Sequence, residues 1–155
     1  MIYVFDTNSL SDLKHFYPNT FESLWANLGE LARDGTLIST REVRNEMGRG
    51  QPVVWLNTWL DGKDIFTTPD ASELEFVAKI LEIPHFQALI GERQRLRGTP
   101  VADPFVIACA KINKGTVVTG ERPKPNSAKI PNVCQHFSIP CVDLEEFMKK
   151  QAWHF

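Results

Sequence analysis

The sequence predicts an α/β domain in which a mainly parallel β-sheet has helices on both sides. Two observations carry this prediction. Short runs of apolar, β-favouring residues lack polar alternation, which is typical of strands that are buried on both faces. Amphipathic helical patterns separate these runs, as in repeated strand–helix–strand units. Since 155 residues is the usual length of one domain, we expect a single domain over residues 1–155.

Four apolar runs are the candidate strands. The first comprises residues 1–5. Two similar runs are Leu37–Ser39 and Thr116–Thr119, and a shorter one is Cys141–Val142. Residues 59–99 show the least regular pattern, so we expect them to extend the helical layers rather than the sheet.

Apolar residues at three- and four-residue steps predict two helices in the first third of the chain. The pattern over residues 21–32 indicates a helix that Thr20 can cap and Gly35 can end. A second helix is predicted after Ser39, because Ser39 and Glu42 have the spacing of a capping box.

Three further helices are predicted later in the chain. Residues 72–83 repeat the amphipathic pattern with Leu74 on the apolar side, and Pro84 prevents continuation. Asp103 precedes a proline, which predicts a helix with Asp103 as its N-cap and the proline in the first helical position. Asp143 has the same capping role at the start of the last helix.

The composition is that of a globular protein. Apolar residues make up 43% and charged residues 23% of the chain, which argues against disorder. The net charge of −2 gives no strong overall field, so nucleic acid must bind to a local basic surface. Three cysteines without a CxxC pair predict reduced thiols rather than a disulfide framework or zinc site. Because neither a membrane-spanning run nor a signal-peptide pattern is found in the sequence, we expect a cytoplasmic protein without membrane contact.

Four acidic residues fall where ligands bind in parallel α/β proteins, beyond the carboxyl ends of the strands. Asp6 directly follows the first strand, and Glu121 lies two residues after Thr119. Glu46 borders the buried face of the helix after the second strand, and Asp103 stands at a helix N-terminus. Each also has a local alternative, since the aspartates can form turns or caps and the glutamates can be solvated. Their combined placement favours one shared site.

Several carboxylates held close together repel one another and stay ionised only where a cation neutralises them. Oxygen ligands without a histidine or cysteine cluster favour a hard cation, Mg²⁺ or Mn²⁺. Such an ion can align and deprotonate a water that attacks a phosphodiester, and it can stabilise the leaving oxygen. The sequence therefore predicts metal-dependent phosphodiester hydrolysis.

Four short motifs occur in a recognisable order. They are Asp6-Thr7-Asn8, Val43-x-x-Glu46, Ala102-Asp103-Pro104-Phe105 and Thr119-Gly120-Glu121. This order resembles the PIN-domain nucleases, most closely the VapC-like ribonuclease toxins of toxin–antitoxin pairs, and the C-terminal part looks like a less-characterised PIN-like subfamily. The resemblance implies a three-layer α/β/α fold, Mg²⁺- or Mn²⁺-dependent cleavage of RNA, an antitoxin partner and a homodimer.

By this resemblance, Asp6, Glu46 and Asp103 match the three most constant acids of the family, which bind the metal and act in catalysis. Glu121 stands where the family more often has aspartate. It is a candidate for the same roles, and it either reaches the metal through a water or does not participate. The residues that match supporting positions are Thr7, Asn8 and Thr119.

Two basic segments flank the candidate acids and can hold RNA phosphates. Residues 92–98 precede Asp103, and residues 122–129 follow Glu121. The alternative for both is an ordinary solvated surface. The candidate RNA-binding residues are Arg93, Arg95, Arg97, Arg122, Lys124 and Lys129, with Arg41 as a weaker candidate.

The tryptophans are better explained as core or interface residues than as platforms for base stacking. Trp25 lies on an apolar helix face, so we expect it in the core. Trp55 and Trp59 are one helical turn apart, which favours the core or a groove for a partner. In VapC-like proteins this region often contacts the antitoxin or a second toxin copy.

Two other interpretations of the sequence stay open. An aspartate after the first strand also fits an aspartate-based phosphatase, although Asn8 stands where that pattern normally has a second acid. A non-catalytic PIN-like module that binds RNA or protein is the other, and Glu121 is the feature that favours it.

Overall fold

The computed structural model describes residues 1–90 and 101–155, and its centre is a five-stranded sheet. The strands are β1 (Tyr3–Phe5), β2 (Leu37–Thr40), β3 (Phe66–Thr67), β4 (Thr116–Val118) and β5 (Cys141–Val142). They lie in the order β3-β2-β1-β4-β5, and every neighbouring pair is parallel. The predicted parallel α/β fold is therefore confirmed.

Helices connect the strands and flank the sheet. They are α1 (Thr7–Asp12), α2 (Glu22–Arg33), α3 (Arg41–Met47), α4 (Val54–Asp61), α5 (Ala71–Leu81), α6 (Ala102–Ile112), α7 (Ile130–His136) and α8 (Leu144–Lys150), with 3₁₀ segments at Leu13–His15 and Pro84–Leu89. Every residue of β1 and β4 is buried although side chains alternate between faces, so helices cover both sides of the sheet. Over the described ranges, we find no helix with the length and apolarity to cross a membrane.

The C-terminal helix α8 packs against the central strand β1 through aromatic rings. Tyr3 and Phe5 are two residues apart and point to the same face of the sheet. The Phe147 ring, which is fully buried, meets them edge-on at centroid distances of 4.9 and 5.0 Å. Trp153 covers the same ring at 5.6 Å. This cluster fixes the strand that ends immediately before Asp6.

The end of α2 follows the prediction, but its start does not. Gly35 has a φ of +75°, and its N–H bonds the carbonyl of Ala32 while the next N–H bonds that of Leu31. This left-handed glycine ends the helix in a Schellman motif. The predicted Thr20 cap is wrong, because Phe21 occupies the N-cap without a side-chain hydrogen bond.

The capping box predicted for α3 is also wrong. Thr40 is the N-cap and accepts a hydrogen bond from the Val43 N–H at 3.2 Å. The Ser39 hydroxyl instead donates to the Phe5 carbonyl at 2.6 Å and ties β2 to β1. Glu42 therefore occupies the second helical position, too early for a capping box, and is 2% exposed beside Arg41.

The region from 59 to 99 contains a strand that the sequence pattern does not predict. Phe66 and Thr67 form β3, which pairs with β2 at the edge of the sheet. The following helix α5 begins after a capping box of Asp70 and Glu73. Leu74 is 49% exposed, contrary to its predicted inward position, because the buried stripe of α5 runs through other residues. Those residues are Glu73, Phe76, Val77 and Ile80.

Candidate active site

The structure brings the four predicted acids to one cavity at the carboxyl end of the sheet. The cavity has a volume of about 410 Å³. Asp6 directly follows β1, Glu121 lies in the loop after β4, and the other two acids come from α3 and α6. The lining residues are Asp6, Thr7, Asn8, Glu46, Arg49, Val101, Asp103 and Glu121. Four distant segments of the chain therefore contribute carboxylates to a single concave surface.

Asp6 is held at the bottom of this cavity by two hydrogen bonds. Its Oδ1 accepts the Ser9 N–H at 2.8 Å, so the side chain also caps α1. Its Oδ2 accepts the Thr119 hydroxyl at 2.5 Å. Burial raises the pKa of Asp6, although the hydrogen bonds from Thr119 and Ser9 act in the opposite direction. The local role as a cap and the place in the acidic site coexist.

Glu46 is anchored in the same way and is only half-buried. Its Oε1 accepts the Thr7 hydroxyl at 2.5 Å, and its Oε2 accepts the Ala102 N–H at 3.4 Å. These bonds join α1, α3 and the start of α6 around one carboxylate. Glu46 is therefore fixed at the site and is not an unattached surface residue, and it is this carboxylate that the Thr7 hydroxyl contacts.

Asp103 is not the N-cap of α6. Val101 is the N-cap and makes no side-chain hydrogen bond there, and Asp103 is the second residue of the helix. Burial raises the pKa of Asp103 to about 7, and the negative charges of Glu121, Glu46 and Asp6 add to this rise. The positive charge of Lys129 acts against it. These electrostatic influences show that the four acids and Lys129 share one electrostatic environment.

The raised pKa of Asp103 predicts that this group lowers the stability of the metal-free protein as the pH rises. The folded state keeps the Asp103 proton up to about pH 7, whereas the ordinary value is 3.8. The contribution of this group is present below about pH 4 and is lost as the pH rises to about 7. The Asp103→Asn side chain cannot ionise. The free energy of unfolding of this variant, relative to that of wild type, should therefore rise over this pH window by up to about 4 kcal/mol.

Urea unfolding of both proteins in EDTA at several pH values between 4 and 8 measures this difference. Asp34→Asn, at an exposed position after α2, is the matched control and should follow wild type. Parallel stability curves for wild type and Asp103→Asn would contradict the prediction.

Glu121 makes its side-chain contact with the backbone of a later helix. Its Oε2 accepts the Ile130 N–H at 2.8 Å, and Ile130 is the first residue of α7. The Glu121 N–H also donates to the Thr119 hydroxyl oxygen at 3.1 Å. Thr119, which bonds Asp6 as well, therefore links Asp6 and Glu121 through one hydroxyl.

Residues 3–155 match the family described as "Domain of unknown function (DUF4411)". The chain belongs to the DUF4411 family. No curated protein matches it. It is similar to the crystal structure of VapBC2 from Rickettsia felis bound to a DNA fragment from their promoter, with a TM-score of 0.52, 15% identity, and coverage of 92% of this chain and 98% of that one.

The DUF4411 chain is also similar to VapBC-1 from nontypeable Haemophilus influenzae. The TM-score is 0.53 at 13% identity, over 92% of this chain and 98% of that one. At such low identity the similarity shows the fold. It confirms the three-layer, VapC-like PIN fold that the order of the sequence motifs predicts.

The donor set of the DUF4411 site fits a hard divalent cation. Carboxylate oxygens are the ligands that Mg²⁺ and Mn²⁺ prefer, and four of them line the cavity. Within residues 1–90 and 101–155, however, no three His, Cys, Asp or Glu side chains are close enough together to hold one ion. The hydrogen bonds of Asp6, Glu46 and Glu121 direct their oxygens to protein partners. Binding an ion therefore requires the carboxylates to come closer together than they lie in this structure.

The structure separates the predicted RNA-binding cations into groups. Lys129 lines a neighbouring cavity of about 190 Å³ together with Asp103 and Glu121. Arg122 and Lys124 are exposed on the loop after Glu121. Arg41 is not among the residues that line the acidic cavity, and its guanidinium pairs with Glu42 at 2.8 Å. The predicted cations at 93, 95 and 97 lie outside the described residues.

Arg49 is a site residue that the sequence analysis missed. It lines the acidic cavity and also an adjoining cavity of about 130 Å³ that contains Lys14. The available signal was its spacing, because Arg49 follows Glu46 by three residues, in the turn directly after α3. Asn8 is exposed at the rim of the acidic cavity, where its amide can contact a ligand.

Proposed function

We propose that this DUF4411 protein is an endoribonuclease that uses Mg²⁺ or Mn²⁺ to hydrolyse phosphodiester bonds in RNA. The convergence of Asp6, Glu46, Asp103 and Glu121 on one cavity carries the proposal. Repelling carboxylates of this kind are suited to a divalent ion. The VapC-like fold supports the proposal, since the sequence motifs resemble those of PIN-domain nucleases.

Asp6, Glu46 and Asp103 are the residues that would hold the ion. When bound, the ion would supply a water made acidic enough to attack at neutral pH and positive charge for the leaving oxygen. Thr119 and Ser9 orient the Asp6 carboxylate. Without the ion, burial and the neighbouring acids raise the pKa of Asp103 to about 7, and a bound cation would favour its ionised form.

Local positive charge would hold the RNA, because the whole chain has a net charge of −2. Arg49 lies on one side of the acids, and Lys129 lies on another, at the neighbouring cavity. Arg122 and Lys124 extend the basic surface along the loop after Glu121. Such cations neutralise backbone phosphates without reading the base sequence.

A partner of the antitoxin class belongs to the same proposal. The two similar solved structures are VapBC assemblies. On α4 the DUF4411 chain exposes Val54 (71%) and Trp55 (40%) beside the adjoining cavity that Val53 and Leu56 help to line. Trp55 also packs edge-on against the buried Trp25 at 5.5 Å, so its position is fixed. This apolar surface suits a protein partner. A homodimer and a cytoplasmic location stay predictions.

Cleavage of a mixed RNA pool tests the proposed activity. We expect cleavage with Mg²⁺ or Mn²⁺ and none with EDTA. Mn²⁺ should also raise the melting temperature of the protein, because an ion that binds only the folded state stabilises it by mass action. A melting temperature that is insensitive to Mn²⁺, together with intact RNA, would favour the non-catalytic module. An aspartyl-phosphate trapped on Asp6 would favour the phosphatase.

A further inference from the structure

We infer that Glu121 is a positioning residue that fixes residues 122–129, here called the basic loop, as a binding surface for phosphates of single-stranded RNA. In this assignment Glu121 is not a ligand of the metal ion. The inference rests on the proposed nuclease function and specifies how the substrate is held beside the acids. It also gives a physical reason for a glutamate at a position where PIN-type motifs more often have aspartate.

The hydrogen bond of Glu121 closes the basic loop at its base. The carboxylate accepts the Ile130 N–H at 2.8 Å, and so joins the residue before the loop to the first residue of α7. Ile130 is fully buried, so this end of the loop is anchored in the core. At the other end the Glu121 N–H bonds Thr119, which is itself bonded to Asp6. Both the backbone N–H and the side-chain carboxylate of Glu121 are therefore hydrogen-bonded.

A second set of hydrogen bonds fixes the interior of the basic loop. Asn132, on the first turn of α7, accepts the Lys124 N–H at 3.1 Å and donates to the Lys124 carbonyl at 2.9 Å. The Ser127 hydroxyl lies 2.8 Å from the Lys124 carbonyl oxygen and 3.1 Å from the Asn132 side-chain oxygen. Both sets connect the loop to α7. The shape of the loop is therefore defined by contacts rather than by the loop residues alone.

One cation of the basic loop, Lys129, lies beside the acids, where a substrate backbone would pass. Lys129 directly precedes Ile130, and it lines the neighbouring cavity with Asp103 and Glu121. Its positive charge acts against the rise in the pKa of Asp103, although burial and the neighbouring acids have the larger effects. Because the Glu121–Ile130 bond fixes the backbone at Ile130, it also constrains the backbone position of the adjoining Lys129. A phosphate beside the cleaved bond is the ligand that this arrangement fits.

The length of the side chain distinguishes the two roles that Glu121 could have, a metal ligand or a positioning residue. Aspartate is shorter by one methylene, about 1.5 Å of chain. It would keep the negative charge but would lose the 2.8 Å bond to the Ile130 N–H. Glutamine keeps the length and an acceptor oxygen but loses the charge. A metal ligand needs the charge, whereas a positioning residue needs the reach.

Binding and cleavage of RNA by Glu121→Gln and Glu121→Asp test the assignment. The binding probe is a fluorescently labelled single-stranded RNA in EDTA, where the nuclease is inactive. We expect Glu121→Gln to bind RNA at least as tightly as wild type and to keep KM within about threefold. We expect Glu121→Asp to weaken binding and raise KM by about tenfold, the scale of one or two lost phosphate contacts, with kcat little changed. Both variants should keep the stabilisation by Mn²⁺.

Asn132→Ala provides a second variant that leaves every acid in place. It should weaken RNA binding as Glu121→Asp does while the rise in melting temperature with Mn²⁺ stays as in wild type. The assignment is overturned if Glu121→Gln loses Mn²⁺ stabilisation and cleavage while Glu121→Asp keeps both. It is also overturned if Glu121→Asp binds RNA as tightly as wild type. A wild-type protein that binds RNA but never cleaves it would instead refute the nuclease proposal. In that case, RNA binding by the two Glu121 variants would still decide whether Glu121 positions the basic loop.

Discussion

In the Asp6→Asn variant, we expect metal-dependent RNA cleavage to fall by about a thousandfold or more in kcat/KM. The amide has no negative charge, so the site loses an anionic oxygen at its most buried position. The fold should persist, because the Asn side chain can still accept the Ser9 N–H and contact Thr119. Burial already disfavours the charged form of Asp6, so a neutral side chain costs little stability.

Cleavage of an end-labelled RNA by purified wild type and variant measures this effect. Asp103→Asn should show a loss of similar size. Asp34→Asn, the exposed control, should cleave as wild type does. Circular dichroism and the melting temperature in EDTA establish that each variant is folded. An Asp6→Asn protein that cleaves within threefold of wild type would remove Asp6 from the proposed mechanism.

The Phe147→Ala variant should have the largest effect on stability, lowering the free energy of unfolding by about 3–5 kcal/mol. Phe147 is fully buried and meets the rings of Tyr3, Phe5 and Trp153 edge-on. Truncation removes these contacts and leaves a cavity between α8 and the central strand, which the surrounding structure can only partly fill. Equilibrium unfolding in urea with EDTA at fixed pH measures the loss.

Phe155→Ala is the matched control for this experiment. It removes the same ring from a position that is 63% exposed in the same C-terminal segment. Its effect should stay below about 0.5 kcal/mol, because little apolar surface returns to water. Equal losses in the two variants would show that α8 does not stabilise β1 through Phe147.

The sequence predicts four of the five strands because their signal is local. Strands that are buried on both faces are mostly apolar and lack polar alternation, and this is visible without any knowledge of the fold. β3 has no such signal, since Phe66–Thr67 is a half-buried pair of residues at the sheet edge. It is a strand because β2 lies beside it, which is a tertiary cause.

Helix boundaries are less predictable because capping side chains have competing partners. The Ser39 hydroxyl, which fits a capping box by spacing, is used by the Phe5 carbonyl in the neighbouring strand. Asp103 fits an N-cap by its proline neighbour, yet the N-cap is Val101 and the helix begins two residues earlier than predicted. The capping box that does form, at Asp70 and Glu73, has the same kind of spacing. Spacing alone therefore does not separate the two cases.

The membership of the acidic cavity can be predicted from topology, whereas its hydrogen bonds cannot. Parallel strands place the residues after their carboxyl ends at one edge of the sheet, which is enough to bring Asp6 and Glu121 together. The contact between Glu121 and Ile130 joins residues nine positions apart across an irregular loop. Arg49 reaches the cavity from a turn beyond α3. The contact between Glu121 and Ile130 has no periodic pattern that could reveal it, whereas the three-residue step from Glu46 is a weak signal for Arg49.

The packing of α8 on β1 has a consequence for how this protein is made. On the ribosome the first strand is synthesised early, but the ring that supports it arrives only with residue 147. A nascent chain thus lacks the ring that packs on its central strand until nearly all of the described residues have been synthesised.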